Sequence, residues 1–227
     1  MASQLQQMLR GLVSMGVGTG VCAIGELGAL PTPPAPDRPP APATEKRHSD
    51  FTLGRIAAKR ALAEIGAPTC PISNVPGRGP SWPRGVVGSI SHSGGNGVAV
   101  ADSADNLTGI GVDIEVWQGG MPWQAQHTVL TPEERRWTGL QRGERWATAI
   151  FCCKEATYKA IPESGAMELG FQDISFYPAG AGVVAGVLRH RGLSGTVRAR
   201  YAWSEHLVLA CVELERDEIR PANHVVR

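Results

Sequence analysis

The sequence predicts an α+β protein in which a strand, a helix and further strands follow one another twice. Two observations support this. Helix start and stop signals occur in two places, and short runs that alternate apolar and polar residues surround each. The 227 residues are 42% hydrophobic and carry a formal net charge of +1. This length and composition suffice for a globular core of one or two compact units.

We predict that residues 1–105 form an N-terminal lobe. Its apolar, Gly-rich residues 12–29 predict the first strand region. Residues 31–44 hold seven prolines in fourteen positions and predict an extended surface connector. A helix is predicted near residues 49–66, with Ser49 or Asp50 as its cap. Short strands are expected next, on either side of the turn at Gly94 and Gly95.

Residues 106–227 are predicted to form a C-terminal lobe that opens with a strand over residues 106–117. Apolar residues alternate there with Gly111, Asp113 and Glu115. Because alternate residues of a strand share a face, both carboxylates are expected to project the same way. A hard cation with oxygen ligands would relieve their repulsion. The alternative is a strand whose polar face is simply solvated.

A helix or a pair of helices is predicted from residue 132 to residue 161. Thr131 and Glu134 have the spacing of a capping box at its start. A break is expected near Gly139 or Gly143. Three antiparallel strands are then predicted from alternation, over residues 182–188, 194–203 and 207–213.

The second half of this helical region places Lys154, Glu155 and Lys159 among apolar and small residues. Glu155 and Lys159 are neighbours at i, i+4 spacing. The alternative is an ordinary surface ion pair, worth a few tenths of a kcal/mol. Because the flanking residues are small or apolar, we expect this face not to be freely solvated.

Composition excludes several classes of function. The chain has no Lys/Arg-rich stripe, which argues against a nucleic-acid partner. No apolar run approaches the ~20 residues needed to span a bilayer. The five cysteines lack zinc-ligand spacing and are odd in number, which favours reduced thiols and a cytoplasmic location.

Four segments resemble known motifs of the 4′-phosphopantetheinyl transferases. GVDIE at 111–115 and FCCKEATYK at 151–159 resemble the two signature motifs of the family. PSWPRGVVGSISHS at 80–93 and RHSDFTLGRIAAKRAL at 47–62 resemble segments of its subgroup typified by the enterobactin-synthase transferase. The resemblance covers roughly residues 45–178, in the order found in the family.

The resemblance implies a fold of two pseudo-symmetric lobes, each a small antiparallel sheet packed on a long helix, with the active site in the cleft between them. It also implies the reaction. The phosphopantetheine group of coenzyme A is transferred to a serine hydroxyl of an acyl or peptidyl carrier protein, with Mg²⁺ required and 3′,5′-ADP released. Such enzymes serve fatty acid, polyketide, nonribosomal peptide or siderophore synthesis, and a monomer is expected.

The family's site residues carry over to this sequence position by position. The metal would be held by Asp113, Glu115 and Glu155. The catalytic residues would be Asp113, Glu155 as base, directly or through water, and Lys159 at the pyrophosphate. Coenzyme A would be bound by Arg47, Arg55, Arg78, Ser91, His92, Lys154 and Lys159. For Lys154 a structural ion pair is the alternative to a phosphate contact.

Two other classes of function remain open at this point. The acidic trio could belong to a different Mg²⁺-dependent phosphodiester enzyme, such as a nuclease. The fold could instead serve a non-catalytic module that binds coenzyme A or a carrier. The intact set of Asp113, Glu115, Glu155 and Lys159 argues against the second alternative.

A surface for the carrier protein is predicted next to the acidic strand. The segment 117–123 is apolar and Gly-rich, and its aromatic and Met side chains would anchor a partner. The cationic residues that follow could attract the acidic helix of a carrier: Arg135, Arg136, Arg142 and Arg145. The alternative is that Trp117 and Trp123 are buried under their own loop.

Overall fold

The computed structural model describes residues 2–29, 44–75, 79–117, 119–140, 144–162, 169–190, 193–216 and 218–221. Most of the predicted proline-rich connector therefore lies outside the described residues. All strand pairs among the described residues are antiparallel. The architecture is α+β, with two principal sheets and a long helix on each, as the sequence predicts.

The first lobe contains a three-stranded sheet of order β1-β5-β4 and its helix α2. Its elements are α1 (Ala2–Leu12), β1 (Gly18–Ala23), a 3-10 helix (Ile24–Ala29), α2 (Glu45–Glu64), β2 (Asn74–Val75), β3 (Gly79–Pro80), β4 (Val86–Ser93) and β5 (Asn96–Ser103). The short strands β2 and β3 pair only with each other.

The second lobe contains a sheet of order β6-β10-β9-β8-β7, to which β11 adds by pairing with β9. Its elements are β6 (Gly109–Val116), α3 (Trp123–Val129), α4 (Pro132–Leu140), α5 (Glu144–Ala160), β7 (Ile174–Gly180), β8 (Val183–His190), β9 (Leu193–Trp203), β10 (Leu207–Leu214) and β11 (Ile219–Pro221). Helix α5 packs on β6 and β10.

A hydrophobic core spans both lobes. Helix α1 contributes Leu5, Leu9 and Leu12 to it, and the two sheets contribute Val98 and Val112 among others. Two further cores lie under α2 and under α5. The predicted division at residues 105 and 106 falls between β5 and β6. The two lobes share a core, so the structure does not separate them at this boundary, and the division stays a prediction.

The two lobes use the same close contact between strand and helix. In β1, a Cβ added at Gly20 would lie 1.9 Å from the carbonyl oxygen of Ala57 in α2. In β6, a Cβ added at Gly111 would lie 1.8 Å from the carbonyl oxygen of Ala156 in α5. Gly18 and Gly109 make the same kind of approach one pleat earlier. Only glycine permits this spacing, so each long helix lies directly on its strand.

The capping box predicted before α4 is confirmed. The Glu134 side chain accepts from the Thr131 amide at 2.7 Å, and the Thr131 hydroxyl accepts from the Glu134 amide at 3.3 Å. The predicted break is confirmed as well, because α4 ends at Leu140 and α5 begins at Glu144.

The cap predicted for α2 is wrong. The helix begins at Glu45, and the Thr44 hydroxyl accepts from the Arg47 amide. Because Thr44 already satisfies the Arg47 amide as the N-cap, neither Ser49 nor Asp50 is needed in that role. Helices α1 and α3 and strand β7 are further elements that the sequence analysis did not predict. No helix among the described residues is long and apolar enough to cross a membrane.

Candidate active site

The cleft between the lobes brings together side chains from three elements. Asp113 of β6 is almost fully buried. Lys159 of α5 donates to Asp113 Oδ1 at 2.7 Å and to Ser91 Oγ at 3.0 Å. Ser91 of β4 in turn donates to Asp113 Oδ1 at 2.7 Å. A carboxylate, an ammonium and a hydroxyl thus meet where an edge strand of each sheet faces the other.

Glu115 and Glu155 lie beside this cluster and are half-buried. Burial, followed by the charge of Asp113, raises the pKa of Glu115 to about 7. The same two causes raise the pKa of Glu155, and the charge of Lys159 opposes the rise. Three carboxylates therefore share a partly desolvated space in which their negative charges repel one another.

The donor chemistry of this cluster fits a hard divalent cation. Asp113 Oδ2 is buried and has no hydrogen-bond partner among the described residues. A buried oxygen in that state and the mutual repulsion of the carboxylates would both be relieved by a cation. No group of three or more His, Cys, Asp or Glu side chains in the described parts of the chain already converges on one ion position. Mg²⁺ usually takes only one or two protein carboxylates and completes its shell with phosphate and water, so this arrangement is compatible with it.

The structure corrects the predicted phosphate contact of Lys154. This side chain has no exposed surface and forms an ion pair with Glu134 at 2.7 Å. It also donates to the carbonyls of Val129 at 2.8 Å and Phe171 at 2.6 Å. These three acceptors use all three donors of an ammonium group. The alternative of a structural ion pair is therefore the one that the structure supports.

Arg55 lies on α2 and is 4% exposed, which the sequence did not indicate. Its guanidinium donates to Asn74 Oδ1 at 2.5 Å and lies 4.3 Å from the ring centroid of Phe51. Any contact with a phosphate would have to be made by a guanidinium that Asn74 and Phe51 already hold in place. The role of Arg55 in binding coenzyme A stays a prediction.

The other predicted phosphate ligands differ in accessibility. Arg47 is exposed in the first turn of α2. His92 of β4 is exposed too, and its Nδ1 lies 3.9 Å from Asp50 Oδ2 of α2. Both side chains are free to meet a ligand in solvent. Arg78 lies outside the described residues.

The predicted docking segment is partly folded back on the protein. The Trp117 indole donates to the Ser204 carbonyl at 3.2 Å. The guanidinium of Arg145 lies 4.3 Å from the ring centroid of Trp117 and 5.0 Å from that of Trp203. Arg145 is thus held by aromatic rings. Trp123, in contrast, is 66% exposed, so the alternative that both tryptophans are buried is wrong for Trp123.

Trp123 borders a groove of about 490 Å³ formed by α3, α4 and α5, whose walls include Gln126, Pro132, Arg135 and Arg136. Arg136 is well exposed and pairs with Glu133 at 2.9 Å. The predicted Arg142 is not among the described residues. The groove combines one large exposed aromatic side chain with guanidinium groups.

Sequence reasoning missed the polar partners of the predicted residues. Glu134 was assigned only to a helix cap, and Ser89 and Ser93 were given no role. The alternation of Ser89, Ser91 and Ser93 along β4 is a signal that could have placed three hydroxyls on one face. The partner of Lys154 gives no such local signal, because Glu134 is twenty positions away.

Two protein-family models match most of this chain between them. A family model described as the 4′-phosphopantetheinyl transferase N-terminal domain matches residues 36–102. A second, described as the 4′-phosphopantetheinyl transferase superfamily, matches residues 109–212. Among solved structures, holo-[acyl-carrier-protein] synthase of Thermotoga maritima aligns with 48% of this chain and 64% of its own, at 21% identity and a TM-score of 0.42.

Three curated relatives define the similarity more closely. The chain is 37% identical to the 4′-phosphopantetheinyl transferase Npt of Nocardia iowensis, over 62% of this chain and 63% of Npt. It is 34% identical to enterobactin synthase component D of Escherichia coli, over 59% of this chain and 65% of that protein. Each match spans slightly less than two thirds of the relative. With the 4′-phosphopantetheinyl transferase PptT of Mycobacterium tuberculosis the identity is 32%, over 80% of this chain and 86% of PptT. The chain belongs to the 4′-phosphopantetheinyl transferase family.

Proposed function

We propose that the cleft transfers the 4′-phosphopantetheine group of coenzyme A to a serine hydroxyl of an acyl or peptidyl carrier protein. The observation that supports this most directly is the meeting of Asp113, Lys159 and Ser91 from three elements, with Glu115 and Glu155 beside them. A formal net charge of only +1 and the lack of a Lys/Arg-rich stripe in the sequence argue against a nuclease. No observation favours that alternative.

Mg²⁺ is the cofactor that the donor set fits, and Asp113, Glu115 and Glu155 would hold it. When bound, it would neutralise charge on the pyrophosphate oxygens during phosphoryl transfer.

The chain's own groups have distinct tasks in this proposal. Glu155 accepts the proton of the carrier's serine, directly or through a water molecule, as the serine oxygen bonds to the β-phosphorus. The bond from that phosphorus to the bridging oxygen breaks, and 3′,5′-ADP leaves with the electron pair. Lys159 is 30% exposed, so its ammonium can turn from Asp113 towards the departing phosphate and neutralise it.

Binding of coenzyme A is assigned to the face formed by α2 and β4. Arg47 and His92 are the exposed groups there that can meet phosphate oxygens. Ser91 is retained as a proposed contact from the opposite face of β4, where its hydroxyl bonds to Asp113. Arg55 and Arg78 are retained as proposed contacts because arginine suits two-point recognition of phosphate.

The proposed setting is a cytoplasmic monomer. All five cysteines are free thiols, and Cys22, Cys152, Cys153 and Cys211 are buried. Free, packed thiols are typical of proteins in reducing compartments.

The function is tested by intact-protein mass spectrometry of apo carrier proteins incubated with the enzyme, coenzyme A and Mg²⁺. We expect a mass gain equal to one phosphopantetheine group, lost when EDTA is added. Asp113→Ala and Glu115→Ala should each lower the rate by about 100-fold or more, because each removes charge next to the pyrophosphate. The matched control is Asp105→Ala, which removes an exposed carboxylate from the turn between β5 and β6.

Three outcomes would contradict the proposal. Near-normal rates for Asp113→Ala or Glu115→Ala would reject the metal assignment. Binding of coenzyme A without transfer to any member of a carrier panel would favour a non-catalytic module. Cleavage of DNA by the wild-type protein, lost in Asp113→Ala, would favour the nuclease.

A further inference from the structure

The two edge strands that line the cleft are joined by serine side chains. Strand β4 is an edge of the first sheet and β6 is an edge of the second, and they do not pair with each other as strands. Instead, Ser89, Ser91 and Ser93, which alternate along β4, all bond to β6. Alternate residues share one face, so the three hydroxyls form a row directed at the opposite lobe.

The partners of this row differ along its length. At the inner end, Ser89 Oγ accepts from the Val112 amide at 3.1 Å. In the middle, Ser91 donates to Asp113 Oδ1 at 2.7 Å. At the outer end, Ser93 donates to Glu115 Oε2 at 3.3 Å. Ser89 thus satisfies a backbone amide, whereas Ser91 and Ser93 each donate to one carboxylate oxygen.

We propose that Ser91 and Ser93 are positioning residues that orient Asp113 and Glu115, from the opposite lobe, for the divalent cation. Each hydroxyl bonds to one carboxylate oxygen, and the second oxygen of the same carboxylate is not used by the serine. For Asp113 the remaining oxygen is the buried Oδ2 that has no hydrogen-bond partner among the described residues. Partners of this kind set the orientation of metal-binding carboxylates in other proteins.

The inference rests on the proposed role of these two carboxylates in holding Mg²⁺. It has a consequence for the arrangement of the molecule. The metal-binding residues belong to the second lobe, and the groups that orient them belong to the first. A correct site then requires the two lobes to be in register along β4 and β6.

The test measures binding of Mn²⁺, in place of Mg²⁺, to the intact protein with coenzyme A present, by electron paramagnetic resonance of the free ion. We expect Ser93→Ala and Ser91→Ala each to weaken Mn²⁺ binding by about 10- to 100-fold, the range found when such supporting groups are removed. Ser93→Thr keeps a hydroxyl and should restore most of the affinity. The KM for coenzyme A should stay near normal in Ser93→Ala, while kcat at fixed Mg²⁺ falls.

Ser89→Ala is the matched control, because it removes the same group from the same row where the partner is backbone. It should lower thermal stability and leave Mn²⁺ affinity unchanged. Equal Mn²⁺ affinity in wild type, Ser91→Ala and Ser93→Ala would overturn this inference but would not contradict the proposed transfer reaction. A similar loss in Ser89→Ala would also overturn it, because the effect would then be general to the strand. If the wild-type protein binds no Mn²⁺, the proposed metal role falls and this inference falls with it.

Discussion

A fully buried ion pair between Lys154 and Glu134 lies next in sequence to the proposed base Glu155. Lys154 precedes Glu155 in α5, and Glu134 lies in the first turn of α4. Glu134 accepts from Lys154, from the Thr131 amide and from the Phe176 amide, each at 2.7 Å. The pair therefore connects α5 to α4, to the start of β7 and to the loop before α4. Burial lowers the pKa of Lys154, and the charge of Glu134 opposes this effect.

We expect Lys154→Met to lower the free energy of unfolding by about 3–5 kcal/mol, because it leaves the buried carboxylate of Glu134 without its cation. Urea denaturation followed by circular dichroism measures this. The control Lys46→Met removes an exposed lysine of α2 and should change stability by less than about 0.5 kcal/mol. Unchanged stability in Lys154→Met, together with weaker binding of coenzyme A, would instead restore Lys154 as a phosphate contact.

At this scale the sequence predicts what is local and misses what is distant. Alternation along β6 correctly placed Asp113 and Glu115 on one face, since both meet serines of β4. The choice between two roles for Lys154 required its partner, which only the packing of α4 on α5 brings near. Arg55 likewise donates to a residue that is distant in sequence, Asn74, nineteen positions away.

The secondary-structure elements are arranged by a contact that repeats in both lobes. Gly20 and Gly111 lie against the carbonyls of Ala57 and Ala156, respectively. Three residues after each alanine comes a cation that donates to the strand. Arg60 bonds to the carbonyl of Val21 in the first lobe. Lys159 bonds to that of Val112 at 3.4 Å in the second. The glycines thus bring the helix close enough for its cation to reach the strand.

We expect Gly111→Ala to lower the free energy of unfolding by about 1–3 kcal/mol and to abolish transfer. The added Cβ would lie 1.8 Å from the carbonyl oxygen of Ala156, and backbone cannot rotate away as a side chain can. Helix α5 would have to move, and Lys159 would move with it. Urea denaturation and the transfer assay measure the two effects.

Gly139→Ala is the control for this prediction. Gly139 is exposed in α4 and has no atom within 4 Å of an added Cβ. Gly139→Ala should therefore raise the free energy of unfolding by about 0.5–1 kcal/mol. If Gly111→Ala kept wild-type stability and activity, the close contact would have no structural importance.

Element prediction succeeded where a local signal was complete. The capping box of Thr131 and Glu134 gave the start of α4 correctly, because both of its residues lie within one turn. The start of α2 was placed too late, since several residues in its first turns can act as caps. Helix α1 was missed although Leu5, Leu9 and Leu12 have helical spacing, because its apolar face is short.

For the molecule as a whole, the repeated contact allows the two lobes to be compared position by position, and only the second has a carboxylate at the position of Asp113. Asp113 follows two residues after Gly111, and the corresponding residue after Gly20 is Cys22. Cys22 is buried, and burial raises the pKa of its thiol. The first lobe therefore offers no carboxylate at this position. It contributes instead the serine row of β4 and the cationic groups of α2.

We propose that the carrier protein docks on the groove of α3, α4 and α5 that Trp123 borders. Met121 packs against the core of the second lobe, so Trp123 is the better residue with which to test docking. We expect Trp123→Ala to raise the KM for carrier several-fold and to leave the KM for coenzyme A near normal, because a large exposed aromatic side chain is a typical anchor for a partner. Steady-state transfer assays with each substrate varied in turn measure both constants.

Tyr177→Ala is the matched control. Tyr177 is also an exposed aromatic residue, but it lies on β7, the opposite edge of the sheet from β6. The KM for carrier should also rise with added salt in the wild type, because Arg136 is exposed and would attract an acidic carrier helix. In Arg136→Gln this salt dependence should be weaker. Equal effects of Trp123→Ala and Tyr177→Ala on carrier kinetics, or a carrier KM that salt does not change, would reject the groove as the docking surface and leave the aromatic cluster around Arg145 as the next surface to test.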